Sequence, residues 1–252
     1  MSDPLNRFSN RVENYVKYRP GYPAGVIELL KSECGLTETS VIADVGSGTG
    51  ILAELFLKNG NSVFAIEPNA DMRQAAERLL KEYKHLMSIA ATAEATTLET
   101  KSVHFITAAQ AFHWFDQNCA KKEFARILKP GGWVALIWNE RRLDSTAFLK
   151  AYEDLLLRYG TDYSQVRHER VTKEIGEFFS PETFQVQTLE NAQHFDFESL
   201  KGRLLSSSYA PDQNHPDFKP MLAELEAVFA ANEKDGIVSF EYDTKVFYGH
   251  LR

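Results

Sequence analysis

The sequence is poor in cysteine, in long apolar runs and in net positive charge. Its two cysteines, Cys34 and Cys119, lie far apart without the spacing of metal ligands, so neither a disulfide framework nor a metal site is expected. The longest unbroken hydrophobic run, Trp133 to Trp138, is too short to cross a bilayer. The net charge of −7 argues against a nucleic-acid partner bound through bulk electrostatics.

The sequence does contain enough apolar material for a sizeable core. Of its 252 residues, 44% are hydrophobic and 12% aromatic, which suits one large α/β domain, alone or with an added subdomain. Residues 1–7 have no apolar core of a secretory signal. We therefore expect a cytoplasmic protein with no membrane and no metal, and its assembly as a monomer or a homodimer stays open.

The segment VIADVGSGTG, residues 41–50, organises the chain. Val41, Ile42 and Val45 are typical of a strand buried on both faces, and apolar residues resume at helical spacing from Ile51. The three alternating glycines therefore lie between a strand and a helix. In such a turn a ligand can lie against the backbone, and the free N–H groups of the helix start point towards it.

Asp44 and the glycine spacing separate two classes of ligand. A dinucleotide site spaces its glycines G-x-G-x-x-G and binds a pyrophosphate at the helix N-terminus. Here the spacing is G-x-G-x-G, and the Asp44 carboxylate would repel phosphate. A phosphate-free ligand with an amino group and a sulfonium centre is compatible with that charge. A glycine turn without a ligand is the alternative, and the segments that follow count against it.

Strand and helix patterns alternate after this turn, which predicts a parallel sheet with helices on both faces. Glu67 ends the second predicted strand, about 20 residues after the first glycine of the turn. An acid at this position can accept hydrogen bonds from both ribose hydroxyls of a nucleoside. Because a dehydrogenase places an acid there too, Glu67 indicates a nucleoside cofactor without deciding which one. We expect the last two strands at 183–195 and 237–248.

The stretch before the first strand resembles a lid. Residues 5–19 have amphipathic helical spacing, and residues 15–23 combine three tyrosines, an arginine and two prolines. Tyr18, Arg19 and Tyr22 are the candidates for substrate contact in this stiff turn. A surface turn packed on the next helix is an equally good interpretation.

Several motifs resemble one enzyme family. The sequence DVGSGTG at 44–50 closely resembles the first motif of class I S-adenosylmethionine-dependent methyltransferases. The runs FHWFD at 112–116 and Y-x-x-x-R-P-x-Y-P at 15–23 are similar to the methyltransferase type 11 branch that includes trans-aconitate methyltransferase-like proteins. The resemblance covers most of residues 8–139. It implies a Rossmann-like α/β fold with a seven-stranded, mostly parallel sheet, an antiparallel last strand and helical lid insertions.

The resemblance also implies a domain plan and a cofactor site. Residues 1–35 would form the N-terminal lid or cap and residues 36–252 the methyltransferase domain, with helical insertions at about 140–180 and 197–235, the part at 160–180 being irregular. The glycine turn would line the methionine part of S-adenosylmethionine, the acid after the second strand would hold the ribose, and later residues would flank the ribose and adenine. The expected cofactor contacts are Asp44, Gly46, Ser47, Gly48, Gly50, Glu67, Pro68, Met72, Ala93, Glu94 and Gln110.

Methyl transfer from a sulfonium is an in-line displacement that depends on alignment in a dry pocket and needs no metal. His113 is the candidate general base where the acceptor is an amine, a hydroxyl or a carbon acid. The alternative, slightly favoured, is that His113 and Trp114 form a wall of the substrate pocket. Arg19, Arg141 and Arg142 could clamp a substrate carboxylate, although for Arg141 and Arg142 a solvated surface position is favoured.

The function predicted from these observations is methyl transfer from S-adenosylmethionine, which leaves S-adenosylhomocysteine, to a small molecule through a carboxylate, hydroxyl or amine. An NAD(P)-dependent oxidoreductase is one alternative, disfavoured by Asp44 and by the glycine spacing. A non-catalytic module that only binds the cofactor is the other.

Overall fold

The computed structural model describes residues 17–161, 163, 171–207 and 209–251, with only the backbone for residues 171–173. The amphipathic helix predicted for residues 5–19 falls almost entirely outside the described residues. The first described helix is α1, Gly25–Cys34, which ends at Gly35 in the left-handed conformation. Of the predicted cap at 1–35, the structure thus describes residues 17–35 alone.

A seven-stranded sheet forms the centre of the molecule, in the order β3-β2-β1-β4-β5-β7-β6. Strands β1 to β5 run parallel, and β7 pairs antiparallel with both β5 and β6. The predicted mostly parallel sheet with an antiparallel last strand is confirmed. The strands are β1 Val41–Val45, β2 Ser62–Ile66, β3 Leu86–Ile89, β4 Val103–Ala109, β5 Leu128–Arg141, β6 Phe184–Phe195 and β7 Val238–Gly249.

Helices cover both faces of the sheet because successive side chains of each strand point to opposite sides. On one side, Ala43 and Val45 of β1 pack with residues of the helices α4, Gln117–Ile127, and α6, Val171–Phe179. On the other side, Ile42 packs with residues of α1 and of α2, Ile51–Lys58. The remaining described helices are α2 Ile51–Lys58, α3 Ala70–Leu79, α4 Gln117–Ile127, α5 Ala147–Tyr159, α6 Val171–Phe179, α7 Phe197–Leu205 and α8 Phe218–Asn232.

A third apolar cluster forms a helical cap. It joins α5, α7 and α8 to the ends of β6 and β7, and Leu149, Leu200, Leu225 and Phe240 are its buried members from these elements. The helices lie within the predicted insertions. The expectation of irregular structure at 160–180 is wrong in part, because α6 occupies Val171–Phe179 and buries Ile175 against the main core.

One ion pair fixes the loop that follows β3. Glu123 on α4 is the acceptor for the backbone N–H and the hydroxyl of Thr96, at 2.8 and 2.5 Å. Arg126 donates to both Glu123 oxygens at 2.7 Å and to the Leu98 carbonyl at 2.8 Å. These bonds, led by the one from Arg126, lower the pKa of Glu123 to about 2. The loop that carries Ala93 and Glu94 is thereby tied to α4.

We predict that Glu123→Ala lowers the free energy of unfolding by about 2 kcal/mol, because it leaves the buried Thr96 groups without their charged acceptor. Glu54→Ala is the matched control, since Glu54 forms only an exposed pair with Lys58 and should cost less than about 0.5 kcal/mol. Urea unfolding of both variants at neutral pH measures the difference. Equal losses would contradict the role given to Glu123.

Candidate functional site

The glycine turn after β1 is tied to the end of β2. The backbone N–H groups of Gly46 and Ser47 donate to the Ile66 carbonyl at 2.8 and 3.1 Å. The N–H of Gly50 donates back to the Ser47 carbonyl at 2.9 Å, just where α2 begins. The carboxyl ends of β1 and β2 therefore meet at one edge of the sheet, where open parallel sheets bind ligands.

Neighbouring side chains leave no space for a Cβ at the first and last glycines of this turn. Gly46 has a φ of +67°, and a Cβ there would lie 2.6 Å from the Cβ of Ala111. Gly50 has a φ of +84°, and a Cβ there would lie 2.5 Å from Cδ1 of Leu80. Glycine is thus required at both positions by backbone conformation and by packing.

A crevice opens against the turn and contains unsatisfied polar groups. The hydroxyl oxygens of Ser47 and Thr49 are buried and have no hydrogen-bond partner in the described part of the chain. Buried hydroxyls of this kind are normally bonded, so a polar ligand in the crevice would satisfy them. The lining residues are Tyr22, Asp44, Gly46, Ser47, Gly48, Thr49, Ile51, Leu52 and Ala109.

Asp44 forms the floor of the crevice and is 1% exposed. Its Oδ1 accepts from the Thr107 hydroxyl at 2.9 Å, and the carboxylate also accepts from the N–H of Ala53 in the first turn of α2. Burial raises the pKa of Asp44 to about 7, and the nearby negative charge of Glu67 adds to the rise. Once Asp44 is ionised, it and the neighbouring Glu67 therefore give this side of the crevice a negative potential.

Glu67 bridges the turn and the start of α3. One carboxylate oxygen accepts from the Gly48 N–H at 2.9 Å, and the other accepts from the Asn69 N–H at 2.8 Å. Burial raises the pKa of Glu67, and these two bonds partly offset the rise. Asn69 caps α3, because its side-chain oxygen accepts from the N–H of Met72. Of the two residues predicted to flank the ribose, Met72 is buried and Pro68 is exposed. Each Glu67 oxygen keeps acceptor capacity for a further donor.

The other predicted cofactor contacts lie around the crevice and are not among the residues that line it. Ala93 is buried, and the Glu94 carboxylate accepts from the Asp116 N–H at 2.9 Å. Gln110 has a φ of +54° directly after β4, and its side chain donates to the Asn139 carbonyl at 3.0 Å. Their contact with a cofactor stays a prediction.

The tyrosine-rich segment folds over the same edge of the sheet. Tyr22 lines the crevice, and the Gly21 carbonyl accepts from the side-chain amides of Asn139 and Asn191 at 3.0 and 2.8 Å. The ring of Tyr18 packs directly on the backbone of Gly202 in α7, where a Cβ would overlap it. Residues 18–22 therefore connect the crevice with the helical cap.

His113 and Trp114 lie on a short 3₁₀ helix, Phe112–Trp114, that follows β4. The centroids of their rings are 4.7 Å apart, and the centroid of the His113 ring is 6.3 Å from that of the Trp138 ring. Trp114 is 42% exposed, and His113 is half-buried. The two side chains form an aromatic wall beside the sheet edge, and neither is among the residues that line the crevice. Their roles towards a substrate stay predictions.

Sequence reasoning missed Asn139 and misplaced Arg141. Asn139 is buried and contacts Gly21, Gln110, Asn191 and the Thr244 hydroxyl, the last at 2.5 Å. The signal available was its position as the first polar residue after the apolar run of β5. The Arg141 side chain is only 12% exposed, contrary to the expected surface position. Arg142 is partly exposed and pairs with surface acids, as expected.

The chain is similar to known methyltransferases. A methyltransferase-domain family model matches residues 43–136. The fold resembles that of a protein from Anaeromyxobacter dehalogenans described as a type II methyltransferase, with a TM-score of 0.71, 21% identity, and coverage of 92% of this chain and 98% of that one. The chain thus has the fold of class I methyltransferases, and residues 43–136 match a methyltransferase domain.

Relatives that match the chain in sequence carry the name of methyltransferases. An uncharacterized methyltransferase-like protein of Schizosaccharomyces pombe is 33% identical over 63% of the chain and 60% of its own length. An uncharacterized methyltransferase of Mycobacterium bovis is 34% identical over 53% of the chain and 52% of its own length. The chain thus spans between half and three fifths of these relatives.

A more distant neighbour carries ligands. The structure of a Haemonchus contortus phosphoethanolamine N-methyltransferase 2 contains phosphomonomethylethanolamine and S-adenosylhomocysteine. The two proteins are 14% identical and superpose with a TM-score of 0.56. The match covers 98% of this chain and 59% of the neighbour's. At this identity the likeness concerns the fold.

The described residues contain neither a candidate metal-binding group nor a candidate membrane-spanning helix. Within residues 17–161, 163, 171–207 and 209–251, no three His, Cys, Asp or Glu side chains form a group that could hold a metal ion. Over the same part of the chain, no helix has the length and apolar character needed to cross a membrane.

We predict that Asp44→Asn stabilises the ligand-free protein in a pH-dependent way. With a pKa raised from 3.8 to about 7, Asp44 holds a proton in the folded state at pH values where the unfolded chain has lost it. Stability therefore falls as the pH rises from about 4 through 7. Asparagine cannot ionise and can still accept the Thr107 bond.

The melting temperature of Asp44→Asn should exceed that of the unsubstituted protein by several degrees at pH 8, since about 1 kcal/mol corresponds to about 2–4 °C in a protein of this size. At pH 4, where Asp44 of the unfolded chain is still partly protonated, the two proteins should differ much less. Thermal unfolding at both pH values tests this, and a difference that is the same at both would exclude ionisation of Asp44 as its cause.

Proposed function

We propose that this protein is an S-adenosylmethionine-dependent methyltransferase that acts on a small molecule. The observation that carries the proposal is the pair of buried hydroxyls of Ser47 and Thr49, which have no partner among the described residues and lie in a turn where Gly46 and Gly50 leave no space for a side chain. The family match over residues 43–136 supports it.

The residues of the crevice fit this cofactor better than a dinucleotide. Asp44 and Glu67 supply two carboxyl groups at the ends of adjacent strands, which disfavour a pyrophosphate and favour an ammonium group. The Glu67 carboxylate has acceptor capacity for ribose hydroxyls. In this assignment Gly46, Ser47 and Gly48 hold the methionine part, and Met72 underlies the ribose.

When bound, S-adenosylmethionine supplies a methyl group activated by a sulfonium sulfur. The chain's own contribution is to align the acceptor with that group and to exclude water. Tyr22 covers the crevice from the lid, and the lid is bonded to Asn139 and Asn191. His113, beside the sheet edge, is the candidate base for an acceptor that must lose a proton.

Glu67→Ala should weaken S-adenosylhomocysteine binding by at least about tenfold, because about 1.4 kcal/mol of hydrogen bonding to a buried carboxylate is lost. Isothermal titration calorimetry measures the affinity, and circular dichroism checks that the fold is kept. Glu82→Ala is the matched control, since Glu82 is exposed and reaches only Lys81. The affinity of Glu82→Ala for S-adenosylhomocysteine should match that of the unsubstituted protein.

Unchanged affinity in Glu67→Ala would remove Glu67 from the ribose role. Thermal stabilisation of the unsubstituted protein by NAD(P), with none by S-adenosylhomocysteine, would refute the cofactor assignment as a whole. Binding with full stoichiometry, but no methyl transfer to any component of a metabolite extract, would instead identify a non-catalytic cofactor-binding module.

A further inference from the structure

Two largely buried arginines lie at the helical cap, and one of them is Arg141. At the end of β5 its Nη2 donates to the Glu153 carboxylate at 2.5 Å and to the Tyr163 hydroxyl at 2.9 Å. Its guanidinium lies over the Tyr152 ring, 5.2 Å from the centroid. Its Nη1 is buried and has no hydrogen-bond partner in the described part of the chain.

Arg203, on α7, is the second arginine and is 8% exposed. It donates to the Ser207 hydroxyl at 3.1 Å and hydrogen-bonds the Tyr242 side chain. Its Nε is buried without a partner, and no carboxylate of the described residues lies within ion-pair distance of its guanidinium. An arginine this deeply buried is almost always paired with an acid.

Both guanidinium groups lie close to the same buried tyrosine, Tyr152. Tyr152 lies within electrostatic reach of Arg141 and of Arg203, and Tyr242 pairs with Arg141 in the register of β5 and β7. Burial raises the pKa of Tyr152 above its ordinary value, so it is neutral. Among the described residues, Glu153 balances the charge of Arg141 and no acid pairs with Arg203, so the described part of the cluster holds one excess positive charge.

We propose that this cluster, defined by Arg141, Arg203, Tyr152 and Tyr242, binds an anionic group of the methyl acceptor. The group is a carboxylate or a phosphate, which the two unpartnered guanidinium nitrogens would bond and which would neutralise the excess charge. This inference rests on the proposed methyltransferase function, and it adds the chemical class of the acceptor.

The position of the cluster relative to the crevice suits a small molecule. Arg141 lies two residues beyond Asn139 on β5, about 7 Å further along the same face. Tyr22 lines the crevice and Tyr18 packs on Gly202, next to Arg203. The four Cα–Cα steps from Tyr18 to Tyr22 span at most about 14 Å. An acceptor of metabolite size can therefore reach from the crevice to the cluster.

The test measures binding of anions and of their neutral analogues to the protein saturated with S-adenosylhomocysteine. The probe pairs are hexanoate with hexanamide, and phenyl phosphate with phenol, titrated by calorimetry. We expect hexanoate or phenyl phosphate to bind at least about tenfold more tightly than its neutral partner. Preference for hexanoate identifies a carboxylate site, and preference for phenyl phosphate identifies a phosphate site.

Arg203→Met should lower the affinity for the preferred anion by at least about tenfold and leave that of the neutral analogue unchanged. Because Arg203 pairs with no acid of the described residues, this variant should melt at the same or a higher temperature. Arg142→Met is the matched control, since Arg142 lies at the surface with Asp243 and Glu190, and its anion affinity should stay within about twofold.

Equal binding of anion and neutral analogue by the unsubstituted protein would overturn the proposal, as would anion affinity that survives Arg203→Met. So would a large loss of melting temperature in Arg203→Met, because it would show that Arg203 serves the fold. Affinity for S-adenosylhomocysteine is measured separately. If the unsubstituted protein does not bind S-adenosylhomocysteine, the proposed function itself is refuted. If it binds S-adenosylhomocysteine but not the anions, the anion site alone is refuted.

Discussion

The structure depends on the bonding of two buried carboxyl groups to the backbone around the glycine turn. Asp44 accepts from Thr107 and from the first turn of α2, and Glu67 accepts from the turn at Gly48 and from the start of α3. Each acid thus satisfies backbone donors that the strand ends and helix starts leave open. The same bonds hold the turn in the shape that exposes the crevice, so fold and candidate site share one set of interactions.

The lid is attached by polar side chains of the sheet. Asn139 uses both ends of its amide, since the nitrogen donates to Gly21 and the oxygen accepts from Thr244 and Asn191. A buried amide bonded at both its nitrogen and its oxygen fixes orientation more strictly than apolar contact does, because each partner has a preferred direction. Movements of β5 and of the segment at 18–22 are therefore coupled through one side chain.

Local patterns predicted much of the fold. The apolar strand of residues 41–45 and the helix that begins at Ile51 follow from rules that act over a few residues, and the structure contains both. The helix Val171–Phe179 could not be recognised with confidence amid charged residues, because its burial depends on a distant core. For the same reason, the sequence at 141–142 gives no sign that one arginine is buried and its neighbour exposed.

The candidate site divides in the same way. The glycine turn and Glu67 are contiguous motifs with a defined spacing, and the structure brings them together through a bond between Gly48 and Glu67. Asn139 and Arg203 lie in parts of the chain with no motif, and only the tertiary structure brings them near the lid. Such positions are set by long-range packing, which a single sequence does not display.

The anchoring of the lid has a consequence for the order of assembly. Gly21 is bonded to Asn191, 170 positions further along the chain, and Tyr18 rests on α7. Contacts of such long sequence separation form late, because loop closure must precede them. During synthesis the central strands can therefore assemble while the crevice is still uncovered, and the amino-terminal turn closes over it only after the last third of the polypeptide has emerged and folded.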